Sequence, residues 1–376
     1  MSDVPSTGRE IRSTVTDDGR VTMAVQETEI PAPGPDEVVL RIGAAPINPS
    51  DLGMMFAGAD LSAAQSDGGD ASAVVAPLSD AALAANRARL GTPMPCGNEG
   101  GATVVAAGSS DAAQGLLGKV VGFLSGSAYA TYRTVHVASC LEMHDGTTPD
   151  QAAACFVNPL TALGMVETMR AEGHTGLVHT VGASNLGQML HRICLDDGVP
   201  LVNIVRKPEH VELLRSAGAE HVVDSSADSF RADLRDALSA TGATIAFDAI
   251  GGGEMAGTLL SAMEQVASAS AEFSRYGSDT HKQVYIYGGL DRGPTTLRRD
   301  FGMSWGLGGW LLTPFLGKIG ADGRERLRKR VADEIATTFA SSYGLRITLD
   351  EAVDPSVVKR YGRMATGDKA LVTPNG

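Results

Sequence analysis

Leu177-Val-His-Thr-Val-Gly-Ala-Ser-Asn-Leu-Gly-Gln-Met-Leu-His-Arg-Ile-Cys-Leu195 is the stretch on which the fold turns. Leu177 to Val181 reads as a short buried strand, Leu186 to Leu195 as a helix, and Gly182-Ala-Ser-Asn-Leu-Gly187 as the turn between them. The turn is a GxGxxG pattern with serine at its middle position. Gly182 allows the tight turn, small Ser184 allows a backbone to approach a pyrophosphate closely, and Gly187 lets helix pack against strand. The helix N-terminus then offers amide donors and a partial positive charge. A second strand, Leu201 to Val205, closes the βαβ unit, and in that context the turn predicts dinucleotide binding.

Outward from this unit the two flanks differ. Toward the C-terminus strands and helices alternate: helix Val211 to Ala217, strand His221 to Val223, helix Phe230 to Ala240, strand Thr244 to Phe247, helix Thr258 to Val266, strand Val284 to Tyr287. Successive βα units with apolar strands imply a doubly wound parallel sheet covered on both faces, an α/β fold. A charged amphipathic helix, Gly323 to Phe339, and a last strand, Ala370 to Thr373, follow. The N-terminal ~150 residues read as β-rich, with strands at Glu37 to Ile42, Thr103 to Ala107, Lys119 to Phe123 and Tyr129 to Val137. Residues 60–93 change to Ala, Ser, Asp and Gly and read as an insertion, a solvated surface excursion ending in a helix from Ser79 to Leu90.

Length and charge narrow the function. A chain of 376 residues suggests two domains. A formal charge of −13 disfavours nucleic acid and anionic membrane surfaces as partners. No run approaches the ~20 apolar residues that span a bilayer, and Met1 to Glu10 lacks a secretion signal's apolar core. Cys96, Cys140, Cys155 and Cys194 form no CxxC pair, so a reduced, cytoplasmic protein acting on a small molecule is expected.

The end of the second strand speaks to the cofactor. An NAD site places a carboxylate there for the ribose 2′-hydroxyl, whereas this strand ends in Arg206-Lys207. Two cations suit a 2′-phosphate, so NADPH is the expected cofactor.

Ile47-Asn-Pro-Ser-Asp51, Gly97-Asn-Glu-Gly-Gly101, Tyr129-Ala-Thr-Tyr132, Asn158-Pro-Leu-Thr-Ala162, the glycine turn, Phe247-Asp-Ala-Ile-Gly-Gly252, Tyr287-Gly-Gly289 and Thr366-Gly-Asp-Lys369 occur in order. In this the chain resembles the zinc-independent medium-chain dehydrogenase/reductases, the quinone oxidoreductase and enoyl reductase branch. The resemblance implies a GroES-like β-rich catalytic domain from 1–155 and 340–376 and a central Rossmann domain over 156–339; a homodimer is the expected assembly. Zinc-dependent members carry cysteine where this chain has Asn48 and histidine where it has Asn98, with a third ligand at the position of Val157. Two neutral amides and an alkyl group cannot make the N/S ligand set zinc requires, so no metal is expected. Enoyl-thioester reductases carry a tyrosine donor shortly after the NPSD segment, and this chain has no tyrosine before Tyr129.

Without a metal, hydride addition to a quinone or an electron-poor double bond asks least of the protein, since fixed donors can hold the developing enolate. Asn48 is the candidate for such a donor, and Asp51 the candidate beside it, more naturally a loop-orienting residue. By resemblance Thr161 lies against the nicotinamide, Gly288 and Gly289 let the backbone approach it, and Arg363 reaches the pyrophosphate or remains a surface charge. His179 and the His191–Cys194 pair read as interior and helix-face residues, not metal ligands. Trp305 and Trp310 line a substrate cleft or a dimer seam. The expected activity is NADPH-dependent reduction of a quinone or enone; an enoyl-thioester reductase and a non-catalytic NADPH-binding protein are the alternatives.

Overall fold

The apolar runs of the central segment pair with one another in parallel: β1 Leu177–Thr180, β2 Leu201–Val205, β3 His221–Asp224, β4 Ile245–Asp248, β5 Lys282–Ile286 and β6 Trp305–Gly309. Their spatial order is β3-β2-β1-β4-β5-β6, which reverses between β1 and β4. That is the doubly wound order whose ligand crevice opens at the carboxyl ends of the strands at the reversal. The computed structural model describes residues 4–68, 72–269 and 271–376. It divides into a unit of residues up to Val157 with Arg328–Gly376, and a unit of Asn158–Leu327 that holds this sheet.

Helices α1 Val157–Ala171, α2 Asn185–Asp197, α3 Pro208–Ser216, α4 Phe230–Thr241 and α5 Met255–Ser268 accompany the sheet. Local chemistry sets their ends. Ser184 caps α2 by accepting from the Gly187 N–H, and Gly198 ends it in the left-handed conformation at φ 64°. The central strands β1, β2 and β4, buried on both faces, and their neighbours sort their side chains by register. Val178, Val202, Ala246 and Val284 stand on one face, beneath Leu234 and Leu238 of α4 and Leu259 and Met263 of α5. On the other face one row runs Asn203, His179, Phe247, Tyr285, Gly308. Trp310 meets Phe247 edge-on and donates its indole N–H to Thr168 of α1 at 3.0 Å.

At the opposite end of β5, the Lys282 side chain is fully buried and paired with Glu264 of α5. Ser268 and Ser278 also donate to that carboxylate. Burial alone would raise the Glu264 carboxyl, but Lys282 and the serines outweigh it and hold it at about 2.

The other unit is β-rich and mostly antiparallel. Thr7–Thr16 and Arg20–Glu29 form a long hairpin. A second sheet orders Cys140–Glu142, Val120–Leu124, Glu99–Ala107, Glu37–Pro46, Ala370–Val372 and Leu345–Ile347. Its core includes Ile11, Leu40, Ile42, Phe123 and Tyr129.

Several expectations need correction. The 60–93 segment is not a solvated excursion: Ala73–Pro77 pairs with Arg20–Glu29, and Val74, Val75 and Ala76 are buried. The helix expected over Ser79 to Leu90 covers only Asp80–Ala85, followed by a 3₁₀ turn. Trp305–Gly309 is the sixth strand of the parallel sheet. The strand expected to reach Val181 stops at Thr180, because Val181 turns to φ 61°. The charged helix runs Gly320–Asp333, after which the Glu334 carbonyl accepts from Thr337 and Phe339 and turns Phe339 inward. The units divide at Leu327 and Arg328, where the expectation had 339 and 340; Arg328 donates to the carbonyls of Ala138 and Cys140.

Removing one partner of the buried pair leaves an uncompensated charge. Glu264→Ala should cost about 3–5 kcal/mol, read by urea unfolding through the fluorescence of Trp305 and Trp310, while an apolar replacement of both partners should recover most of it. Because the folded carboxyl lies below its unfolded value, this contribution is present above about pH 4.5 and disappears as pH falls toward 2.

Candidate functional site

Four segments of the β-rich unit meet at one buried carboxylate. Glu99 opens the strand Glu99–Ala107 with no solvent exposure. Its Oε2 accepts from the Phe156 and Val157 N–H groups at 2.7 and 2.9 Å, and its Oε1 accepts from Asn48 Nδ2 at 2.8 Å. The Asn48 carbonyl oxygen in turn accepts from Lys369 Nζ at 2.9 Å. Lys369 arrives by sheet register: Ala370–Val372 pairs antiparallel with Glu37–Pro46, Leu371 opposite Pro46, and the Ala370 carbonyl accepts from the Ile47 N–H. The ammonium also lies 6.0 Å from the centre of the Tyr343 ring.

Asp51 holds the loop in place. It is the third residue of the helix Pro49–Phe56, and its Oδ2 accepts from the Asn48 N–H at 2.8 Å. Its Oδ1 accepts from the Asn98 N–H at 2.8 Å, so both oxygens are taken by backbone. Tyr129 donates to the Pro46 carbonyl at 3.0 Å and fixes the entry to the same loop.

The electrostatics follow from the burial. Desolvation raises the Asp51 carboxyl to about 7 against the two amides that lower it, and raises Glu99 as well. Burial lowers Lys369 to about 8, against the pull of Glu99 and Asp51. The set is one cation, one neutral amide and two carboxyl groups. It can hold and polarise an oxygen. Among the described residues no group of three or more His, Cys, Asp or Glu side chains is placed to hold a metal ion.

The parallel-sheet unit carries the second constellation. A Cβ on Gly187 would lie 2.3 Å from the Gly182 carbonyl oxygen, and one on Gly182 would lie 2.8 Å from Asn203 Oδ1. The two glycine positions therefore leave no ready room for a side chain, and the turn sits at the carboxyl end of β1, where a pyrophosphate is expected. A β-branched residue at φ 61° costs on the order of 1–3 kcal/mol, and Val181 carries that strain directly before Gly182. Asp248, at the end of β4, accepts from Thr180 and from the Ile250 and Gly251 N–H groups, tying β1 to the β4 turn across the reversal. A Cβ on Gly288 would lie 2.6 Å from the Ala249 carbonyl oxygen, while Gly289 faces open space. Thr161 is buried in α1. Arg206 and Lys207 are exposed at the end of β2; Lys207 pairs with Glu209 at 3.6 Å, and Arg206 has no ion-pair partner among the described residues. Arg363 is exposed beyond the helix Pro355–Tyr361 of the β-rich unit.

Asn48 and Asp51 are thus brought together with two residues that reading for function passed over, Glu99 and Lys369. Both lay inside quoted motifs, and their signal was the presence of charge at the rim of glycine-rich or strand-entry segments. His191 is satisfied as expected, bonded to the Ala217 carbonyl oxygen at 3.1 Å. His179 is only half satisfied: Nε2 meets Tyr287 Oη at 2.7 Å, and Nδ1 has no hydrogen-bond partner among the described residues.

No family model matches the chain. Solved structures match along its whole length. A protein provisionally described as an NADPH:quinone reductase from Mesorhizobium loti superposes with a TM-score of 0.73 at 24% identity, covering 99% of each chain. The chain has the medium-chain dehydrogenase/reductase fold. A mycobacterial protein solved with NADPH shares this fold at a TM-score of 0.69 and 18% identity, over 98% of this chain and 100% of its own. A mutant enoyl thioester reductase from Candida tropicalis does so at 0.68 and 17%, over 98% and 99%. The β-rich unit corresponds to the GroES-like part of the fold and the parallel sheet to its Rossmann part.

The Lys369 environment is testable without a substrate. Competitive acetylation across pH, read by mass spectrometry, should place its titration near 8 rather than near the ordinary 10.5. Glu99→Gln removes a nearby negative charge and should move it lower still; a value at or above 10 in the parent protein would contradict the assignment.

Proposed function

We propose that this chain is an NADPH-dependent oxidoreductase that reduces a quinone or an α,β-unsaturated carbonyl compound without zinc. The observation that carries the reading is the Gly182–Gly187 turn at the sheet reversal, where a Cβ on either glycine would crowd its neighbours, with Arg206 exposed at the end of the neighbouring strand and without an ion-pair partner among the described residues. The turn fits a pyrophosphate, and Arg206 with Lys207 fits a 2′-phosphate through charged hydrogen bonds. Thr161, Gly288, Gly289 and Arg363 complete the assigned cofactor contacts. When bound, NADPH supplies a hydride. The protein's part is to hold the charge that develops on the acceptor. Asn48 with Lys369 behind it is assigned that role, and Asp51 is assigned the loop geometry that presents them. The absence of thiolate and imidazole at Asn48, Asn98 and Val157 supports the zinc-free chemistry.

Reduction of an enoyl thioester is the second reading, supported by the structural match to the Candida tropicalis enzyme. Loss of NADPH absorbance against a panel of quinones, enones and enoyl thioesters separates the two. With deuterated NADPH in ordinary water, an enone product should carry label only at the β-carbon. Label on a carbinol carbon would mean carbonyl reduction, and no turnover with any acceptor would leave a cofactor-binding protein.

Cofactor choice has its own test. Replacing Arg206 and Lys207 together with neutral residues should weaken NADPH binding by roughly 2–3 kcal/mol and leave NADH nearly unchanged. Equal losses for both cofactors in calorimetry would refute the 2′-phosphate assignment.

A further inference from the structure

Tyr287 and His179 form a polar pair at the place where the doubly wound sheet reverses. Tyr287 follows β5, and its N–H donates to the Asp248 carbonyl of β4 at 3.0 Å. Its ring crosses to β1 and stacks on the His179 imidazole, with centroids 5.7 Å apart and planes inclined by 26°. The hydroxyl meets His179 Nε2 at 2.7 Å. His179 is fully buried, whereas Tyr287 keeps partial exposure at the carboxyl end of the strands.

The tautomer sets the direction of this bond. Among the described residues His179 Nδ1 has no hydrogen-bond partner, and neither has the amide of its buried cross-strand neighbour Asn203. With the ring proton on Nδ1 the phenol donates to Nε2; with it on Nε2 the ring donates to Tyr287 Oη and leaves the phenol hydrogen for another acceptor. Burial also pushes the imidazole down to about 3 and the phenol up, so the ring stays neutral and the phenol keeps its proton at neutral pH.

We propose that Tyr287 is the proton donor of the reduction, with His179, protonated on Nε2, as its positioning residue. This rests on the reductase reading above. Once the β-carbon of an enone has accepted hydride, the displaced electron pair lies on the α-carbon and carbonyl oxygen. The Tyr287 O–H bond breaks and a C–H bond forms at the α-carbon. The phenolate left behind is held by the His179 Nε2–H and regains its proton from water. The tyrosine absent from the N-terminal segment is thus replaced by one from the sheet.

Two measurements decide it. In the ligand-free protein, ¹⁵N NMR of histidine should show His179 as the neutral Nε2–H form; the Nδ1–H form would overturn the proposal whatever the substrate. With an enone that the parent protein reduces, Tyr287→Phe should lower kcat by about 10²-fold or more while leaving NADPH affinity unchanged. In heavy water the parent product should carry deuterium on one face of the α-carbon, and the Tyr287→Phe product on both. His179→Gln, which keeps an amide donor, should retain more activity than His179→Leu. Full kcat with single-face labelling in Tyr287→Phe would remove Tyr287 from the reaction. Failure of the parent protein to reduce any acceptor would count against the reductase reading alone, since the tautomer would still be read independently.

Discussion

Glu99 has no access to water, and a carboxylate in that position is stable only if its lone pairs are met by donors. Meeting them organises the β-rich unit. Two donors are the backbone amides of Phe156 and Val157, which fix the chain as it enters α1. A third is Asn48, at the mouth of the helix Pro49–Phe56. Beyond Asn48 stands Lys369, delivered by the C-terminal strand from the far end of the sequence. Asp51 holds this geometry from behind, spending both oxygens on the backbone of Asn48 and Asn98. A buried charge with all its partners is costly to form but specific, since displacing any one segment leaves a group unpaired.

The parallel sheet solves a different problem. One face packs Val178, Val202, Ala246 and Val284 under α4 and α5, while the other carries Asn203, His179 and the aromatic row through Phe247 to Tyr285. Polar atoms left without partners inside a sheet face reduce stability, and Val181 adds backbone strain at the end of β1. These departures from good packing collect around the reversal of the strand order, the part of such sheets that binds ligands. The opposite end of β5, by contrast, is secured by the Lys282–Glu264 pair with its serine donors.

Much of this was legible in the sequence because it is local. The Gly182–Gly187 turn shows as a glycine spacing between a strand and a helix, and the βα alternation follows from apolar runs separated by helical spacing. Arg206 and Lys207 stand at a strand end that the run itself marks. Where local signals were weak, reading failed. Ala73–Pro77 lies in an Ala- and Ser-rich stretch and becomes a strand only because Arg20–Glu29 is there to pair with it. The glycines of Trp305–Gly309 disguise a strand whose place beside β5 is set by the sheet, not by propensity.

The sequence by itself therefore determined the fold class, the glycine turn after β1 and the residue types available at Asn48, Asn98 and Val157. Tertiary structure alone decided which charges those donors meet. Lys369 and Asn48 are joined by the register of one antiparallel pairing, Leu371 opposite Pro46, and His179 and Tyr287 by a tyrosine ring reaching across β4. Neither relation has a period or a spacing to read, because each depends on which strands become neighbours once both faces of the sheet have been buried.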